Sequence, residues 1–228
     1  MMRPSVYDPA IERALHFLDS LRVDDMRSEY YEVAETTHSE HRVYNQSQYL
    51  LSILFRKLGK EDLVEAIRRK HPSDEPDNDL PRRRGHRSND RWCILEDDIK
   101  PFYLSNRINS RYNDEKALLA LYRLERGRER PAKTLSEELS SRYDPAKGVL
   151  QMDEADAEKD LHPVYKVALF GILAKRINDA TTVRSVQESL RRWQHQAGGW
   201  ETDRKVDLTA DGAANIETTV LSTLALLR

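Results

Sequence analysis

Trp193-Gln194-His195-Gln196-Ala197-Gly198-Gly199-Trp200-Glu201-Thr202-Asp203, followed by Asn215-Ile216-Glu217-Thr218-Thr219-Val220-Leu221-Ser222-Thr223-Leu224-Ala225-Leu226-Leu227, decides the fold. A polar helix end runs into a Gly-Gly-Trp turn. An Asn then opens a second helix whose apolar positions Val220, Leu221, Leu224 and Leu227 recur at helical spacing. The unit reads as a helical hairpin with a long ordered loop.

Working outward, three earlier segments align with the last helix: Tyr49-Leu50-Leu51-Ser52-Ile53-Leu54, Ala117-Leu118-Leu119-Ala120-Leu121-Tyr122 and Ala168-Leu169-Phe170-Gly171-Ile172-Leu173 against Thr219-Val220-Leu221-Ser222-Thr223-Leu224. Their starts are 68, 51 and 51 residues apart. The fourth column is always small (Ser52, Ala120, Gly171, Ser222), as required where helices approach closely. Four residues before each start stand Asn45, Asn113, Val164 and Asn215, so three of the four copies carry a preferred N-cap.

A more amphipathic helix precedes each apolar one: about Pro9 to Leu21, Glu61 to Lys70, Ala132 to Tyr143 and Thr182 to Trp193. The first puts Ile11, Leu15, Leu18 and Leu21 on one stripe and belongs on the outside; the apolar set belongs inside. Inner-to-outer connections are short, as at Gly59-Lys60, and outer-to-inner ones are long. The long loops and the inner-helix N-termini are therefore expected at one common rim. The second long loop carries an insertion at about 72–101, acidic at Asp74, Glu75, Asp77 and Asp79, then basic at Arg82, Arg83, Arg84 and Arg87. It reads as a solvated loop or a lid.

At 228 residues the chain is expected to be a single all-α domain, 1–228, with that loop inserted. The balance of 37 basic and 39 acidic residues leaves a formal net charge of -2, which gives no global field toward nucleic acid or anionic lipid. The Arg run lacks interleaved aromatics, so no nucleic-acid partner is expected. No apolar run approaches the roughly 20 residues that span a bilayer, so the chain is expected in the cytoplasm and not across a membrane. The single Cys93 forms no internal disulfide and builds no cysteine-based zinc site alone.

Gln196-Ala197-Gly198-Gly199-Trp200, then Asn215-Ile216-Glu217-Thr218-Thr219 and an apolar helix, resembles the repeat of the terpene cyclase and protein prenyltransferase superfamily, squalene cyclases included. The resemblance covers Trp193 to Leu227 closely; Tyr143-Asp144-Pro145-Ala146-Lys147-Gly148-Val149-Leu150-Gln151 keeps only an aromatic, a Gly and an apolar residue of the turn. It implies an α/α toroid, inner helices ringed by outer ones, with a ligand cavity at one mouth. Four hairpins are fewer than a closed ring of this type holds, which implies a partial toroid. An open arc would expose apolar flanks, and a homo-oligomer is expected. The catalytic patterns of the superfamily are not matched. Leu95-Glu96-Asp97-Asp98 has Leu where the first Asp of the cyclase acid motif belongs, and Asp90-Arg91-Trp92-Cys93 with His162 lacks the zinc-site spacing of the prenyltransferases. No metal and no cofactor are expected.

Helix N-termini gathered at a mouth suit an anionic group. Side chains near these ends are Tyr44, Gln46, Asp114, Glu115, His162, Tyr165, Lys166 and Glu217, and Arg107 and Arg111 precede the second inner helix as an anion clamp. The ligand-binding candidates are Tyr44, Arg107, Arg111, Tyr165, Lys166 and Trp200; the candidates for chemistry are His162, Glu217 and Asp203. Each has a plainer role: Glu217 satisfies a helix dipole, His162 a helix entry, Trp200 the gap between hairpins, and the Arg pair bridges to Asp114 and Glu115. Three functions follow. The first is an isoprenoid-type protein holding a small or lipid-like apolar ligand with an anionic head, such as a diphosphate. The second is a carbohydrate-active toroid, hydrolase or lyase, using Asp153, Glu154, Asp156, Glu201 and Asp203. The third is a scaffold that binds a protein partner.

Overall fold

The computed structural model describes residues 7–23, 27, 29–31, 45–71 and 111–227; Tyr44, Cys93, Arg107 and the 72–101 insertion lie outside them. In chain order the helices are α1 (Pro9–Ser20), α2 (Asn45–Lys57), α3 (Glu61–Lys70), α4 (Asn113–Glu125), α5 (Glu129–Arg142), the one-turn α6 (Glu154–Ala157), α7 (Val164–Arg176), α8 (Ala180–Trp193) and α9 (Ile216–Leu226). Helix dominates, but the chain is not all-α. Two long loops carry small antiparallel sheets: β1 (Tyr143–Asp144) with β2 (Val149–Leu150), and β3 (Leu161–Pro163), β4 (Glu201–Lys205) and β5 (Ala210–Ala214) in the order β3-β4-β5. These stretches are short and mostly polar, so no period-2 run marks them in the sequence.

The repeat is most regular where an inner helix turns into the following outer one. Gly59, Gly127 and Asn178 all adopt positive φ, at 68°, 65° and 61°, and stand 68 and 51 residues apart. Each sits in the same bonded turn. The next residue's N–H reaches back five residues (Lys60 to Phe55, Arg128 to Arg123, Asp179 to Ala174), while the Gly or Asn N–H reaches back three. This is the Schellman arrangement, which satisfies the last carbonyls of a helix and requires a left-handed residue, Gly or failing that Asn.

The inner helices pack as a row, α4 against α7, α7 against α9 and α9 against α2. Outer helices pair with their own inner ones, α3 on α2, α5 on α4 and α8 on α7, and α1 packs on α9. The first helix of the chain thus serves as the outer partner of the last. Two equivalent glycines show the same geometry. A Cβ on Gly148 would lie 2.2 Å from Ser189 Oγ of α8, and a Cβ on Gly199, 51 residues later, would lie 2.7 Å from the Phe17 ring of α1. The Gly-Gly turn leaves no room for a side chain because α1 lies directly on it. Arg191 to Asp8 (2.7 Å), Gln194 Nε2 to the Ala10 carbonyl (2.7 Å) and an Arg13–Gln194 hydrogen bond seal the seam.

Burial follows the sequence pattern. In α7 Lys166, Val167, Ala168, Leu169, Phe170 and Gly171 are all buried, the leading lysine included, and in α9 Thr218 to Leu226 are buried without interruption. The small column has its reason here: a Cβ on Gly171 would stand 2.6 Å from Val186 Cγ1 of α8 and 3.5 Å from Ala225 Cβ of α9. Among the described residues Val206, 55% exposed, is the large hydrophobic side chain that faces solvent, and it lies next to β4.

Of the three expected Asn caps, Asn215 is found and Asn113 takes another role. Asn215 Oδ1 accepts from Thr218 N at 2.8 Å and caps α9. Asn113 is instead the first residue of α4, almost fully buried, donating to the Gln151 carbonyl (2.8 Å) and accepting from Arg142 (2.7 Å). The Asn45 side chain is not among the described atoms.

If α1 closes on the Gly-Gly turn, Gly199→Ala should destabilise by about 1–3 kcal/mol through overpacking. Combining it with Phe17→Leu should recover part of that loss, by about 1 kcal/mol relative to the sum of the single changes. Urea unfolding of the four proteins measures the coupling, and strict additivity would contradict the contact.

Candidate functional site

At the rim, the first turns of α4 and α7, the helix α6 and strand β4 converge on one buried ammonium. Lys166 Nζ lies 2.7 Å from Asp153 Oδ2 and 2.7 and 2.9 Å from the two oxygens of Asp156. All three side chains are buried. Asp153 does more than pair with the lysine. Its Oδ2 accepts the backbone N–H of Asn113 at 3.1 Å and its Oδ1 accepts that of Asp156 at 3.3 Å, so it caps α6 and ties the start of α4 to it. On α4, Asp114 Oδ2 accepts from the Tyr165 hydroxyl at 3.2 Å.

Proton affinities around this centre diverge. Burial alone would make both ends of the ion group neutral. For Lys166, the hydrogen bonds to Asp153 and Asp156 outweigh burial and raise its pKa. For Asp153, burial is outweighed by the Lys166 hydrogen bond and the Asn113 N–H, and its pKa is lowered. Asp156 bears more of the desolvation, and beside ionised Asp153 its pKa is raised despite Lys166. Two further carboxyls shift upward. Glu115 is pushed up by burial and then by Asp114 and Asp153, and its Oε2 is buried with no hydrogen-bond partner among the described residues. Asp203 is pushed up by burial and then by Asp156 and Asp211, with Lys159 and Lys166 opposing.

The sequence-derived candidates separate accordingly. Lys166, Tyr165 and Asp203 belong to this centre, with Asp153 and Asp156 of the loop carboxylates. His162 does not share the face of Asp203: on the β3–β4 ladder it stands opposite Arg204, while Pro163 stands opposite Asp203, and its Nδ1 lies 3.1 Å from the Leu150 carbonyl. Trp200 is fully buried, its Nε1 donating to the Leu190 carbonyl at 2.8 Å, so it fills the space between α8 and α9. Glu201 is buried on Arg204 (2.9 Å), and Arg204 also donates to the Trp193 carbonyl (2.7 Å). Arg111 and Glu154 are exposed. Glu217 is half-buried in the first turn of α9, at the repeat position of Lys166 and Glu115, 51 residues from one to the next. Glu115 and Asn113 are the residues that pattern reading undervalues. The usable signal is that column, Glu115, Lys166 and Glu217, where charge alternates between neighbouring inner helices.

Among the described residues no group of three His, Cys, Asp or Glu is arranged to hold a metal ion, and no helix is long and apolar enough to cross a membrane. Comparison with models of protein families, with curated proteins and with solved structures returned no match.

Lys166→Met would leave Asp153 and Asp156 buried without a counter-charge, a loss of about 3–5 kcal/mol near neutral pH. Both acids would then have folded-state pKa values above their unfolded ones, so the variant should regain stability as pH falls through those values. In the parent chain the raised Lys166 pKa contributes stability that is complete below the unfolded lysine value and is lost as pH rises through the folded one. Urea midpoints at pH 4.5 and 7.5 decide this: a deficit equal at both pH values would contradict it.

Proposed function

We propose that the rim centre is a general acid–base site acting on an uncharged, hydroxyl-rich substrate, and that the chain is a carbohydrate-active partial toroid of helical hairpins. The observation that carries this is the pair of carboxyls with raised proton affinity, Asp203 on β4 and Glu115 on α4, each in the field of the Lys166–Asp153–Asp156 group. Glycosyl transfer needs one carboxyl that keeps its proton to protonate the leaving oxygen, and one carboxylate that acts as base or nucleophile. Asp203 is assigned the first role. Glu115 is assigned the second, because a carboxylate of raised pKa is a stronger base than an ordinary one. The ring-like arrangement is supported by the row α4–α7–α9–α2, the repeated Schellman turns and the seating of α1 on α9.

The isoprenoid reading draws on the same helical arrangement, but its anionic head meets the wrong charge at this rim. Asp114, Glu115, Asp153, Asp156 and Asp203 gather about Lys166, whose charge is already engaged by two of them. Arg111 is exposed and Trp200 is buried away from solvent, so neither supplies the clamp or the stacking surface at this centre.

Release of sugar from a panel of aryl glycosides and oligosaccharides tests the proposal. Asp203→Asn and Glu115→Gln should each lower turnover by about 10²–10⁴-fold with unchanged circular dichroism. Activity should peak in mildly acidic solution, above the ordinary carboxylate range, because the pKa values of Glu115 and Asp203 are both raised. Full activity of both variants, or no cleavage anywhere in the panel, would remove the proposal.

A further inference from the structure

Directly opposed residues of an antiparallel ladder share a face, as do residues two apart on one strand. Pro163, Asp203 and Asp211 therefore lie on one face of the β3-β4-β5 sheet, with Leu161 and Lys205 on the same face two residues further along. At that further end the surface opens into a groove of about 650 Å³, whose lining includes Lys159, Leu161, Lys205, Val206, Asp207 and Asp211. Asp211 belongs to both places, since it stands opposite Asp203 and also lines the groove. Two residues of strand span about 7 Å, close to the length of one pyranose unit.

Resting on the acid–base reading above, the geometry points to this groove as a second subsite of the same site, holding the neighbouring rings of a neutral oligosaccharide whose scissile bond lies at Asp203. The lining has the chemistry of a sugar ring in mirror image. Ammonium donors (Lys159, Lys205) and carboxylate acceptors (Asp207, Asp211) stand at the sides for hydroxyls, and Leu161 with the exposed Val206 offers apolar surface for the C–H face. Lys205 and Asp211 pair at 3.3 Å, and Asp160 also lines the groove, so three carboxylates face two ammoniums and an anionic polymer is disfavoured. The groove is open to solvent, so a ligand longer than one ring can extend beyond it.

The test uses the full chain, amide NMR and four probe pairs: maltohexaose, cellohexaose, xylohexaose and chitohexaose, each beside its disaccharide. One hexasaccharide should perturb the amides of Lys205, Val206 and Asp207 together with Asp203, and should bind more tightly than its disaccharide. Val206→Arg should weaken that hexasaccharide about tenfold, or about 1.4 kcal/mol, and leave the disaccharide unchanged. Equal affinity for both lengths, or perturbation at Asp203 without residues 205–207, would overturn the subsite and leave the acid–base reading standing. Binding along the groove without cleavage would sink the acid–base reading alone, and a panel that fails to bind at all would sink both.

Discussion

One ammonium holds the rim together. Lys166 projects from the first turn of α7 into two carboxylates, and Asp153, by accepting the Asn113 and Asp156 N–H groups as well, carries that anchorage into α4 and α6. Taking three charges out of water is expensive, and well-packed apolar side chains of similar volume would give equal or greater stability. What an apolar cluster lacks is direction. Three short bonds to one Nζ fix where the starts of two helices and an intervening loop stand relative to each other, and they leave Glu115 and Asp203 in a setting of fixed negative charge. The same group that costs stability thus defines the proton affinities beside it.

The opposite end of the molecule is built without such freedom. Three Schellman turns of identical bonding reverse the chain within a few residues, and Lys175 donates to the Leu224 and Leu227 carbonyls at 2.8 and 2.6 Å, closing the end of α9. Burial, with Lys57 nearby, brings the Lys175 pKa down to about 8. Turns this tight cannot be elaborated without breaking the inner-to-outer hairpin. The outer-to-inner connections are long, and among the described residues they hold the sheets and α6.

The helical skeleton was legible because its signals are local or periodic. The recurring apolar segments, the small column at Gly171 and Ser222, and the short turn at Gly59 each follow from packing or backbone sterics. The sheets were not legible, since β1, β2 and β3 span two or three residues and β5 is Ala-Asp-Gly-Ala-Ala. Asn113 misled for a related reason: Asn suits a cap, but a buried Asn bonded to Arg142 and Gln151 is a bridge between hairpins, and nothing within the helix it opens reveals those partners. At the site, Lys166 stands among the ligand-binding candidates and Asp153, Asp156 and Asp203 among the loop carboxylates, but the contacts that join them span intervals of chain that show no period. Trp200 stood out as an aromatic beside a rim, and its burial depends on α8, which the turn sequence does not describe.

Helix starts gathered at a mouth do not by themselves make an anion site, because a dipole end attracts an anion only through N–H groups still open to it. Here the protein's own side chains have taken one N–H at each of three helix starts. The Asn113 N–H of α4 and the Asp156 N–H of α6 are bound by Asp153, and the Thr218 N–H of α9 is bound by Asn215. Acidic residues in the same first turns, Asp114 and Glu115 on α4 and Glu217 on α9, already draw on what remains of the field. The inner helices therefore point their positive ends at internal carboxylates, and the net result at the rim is a negative, hydrogen-bond-rich surface. On the proposed reading, a neutral ligand with many hydroxyls suits such a surface better than a diphosphate.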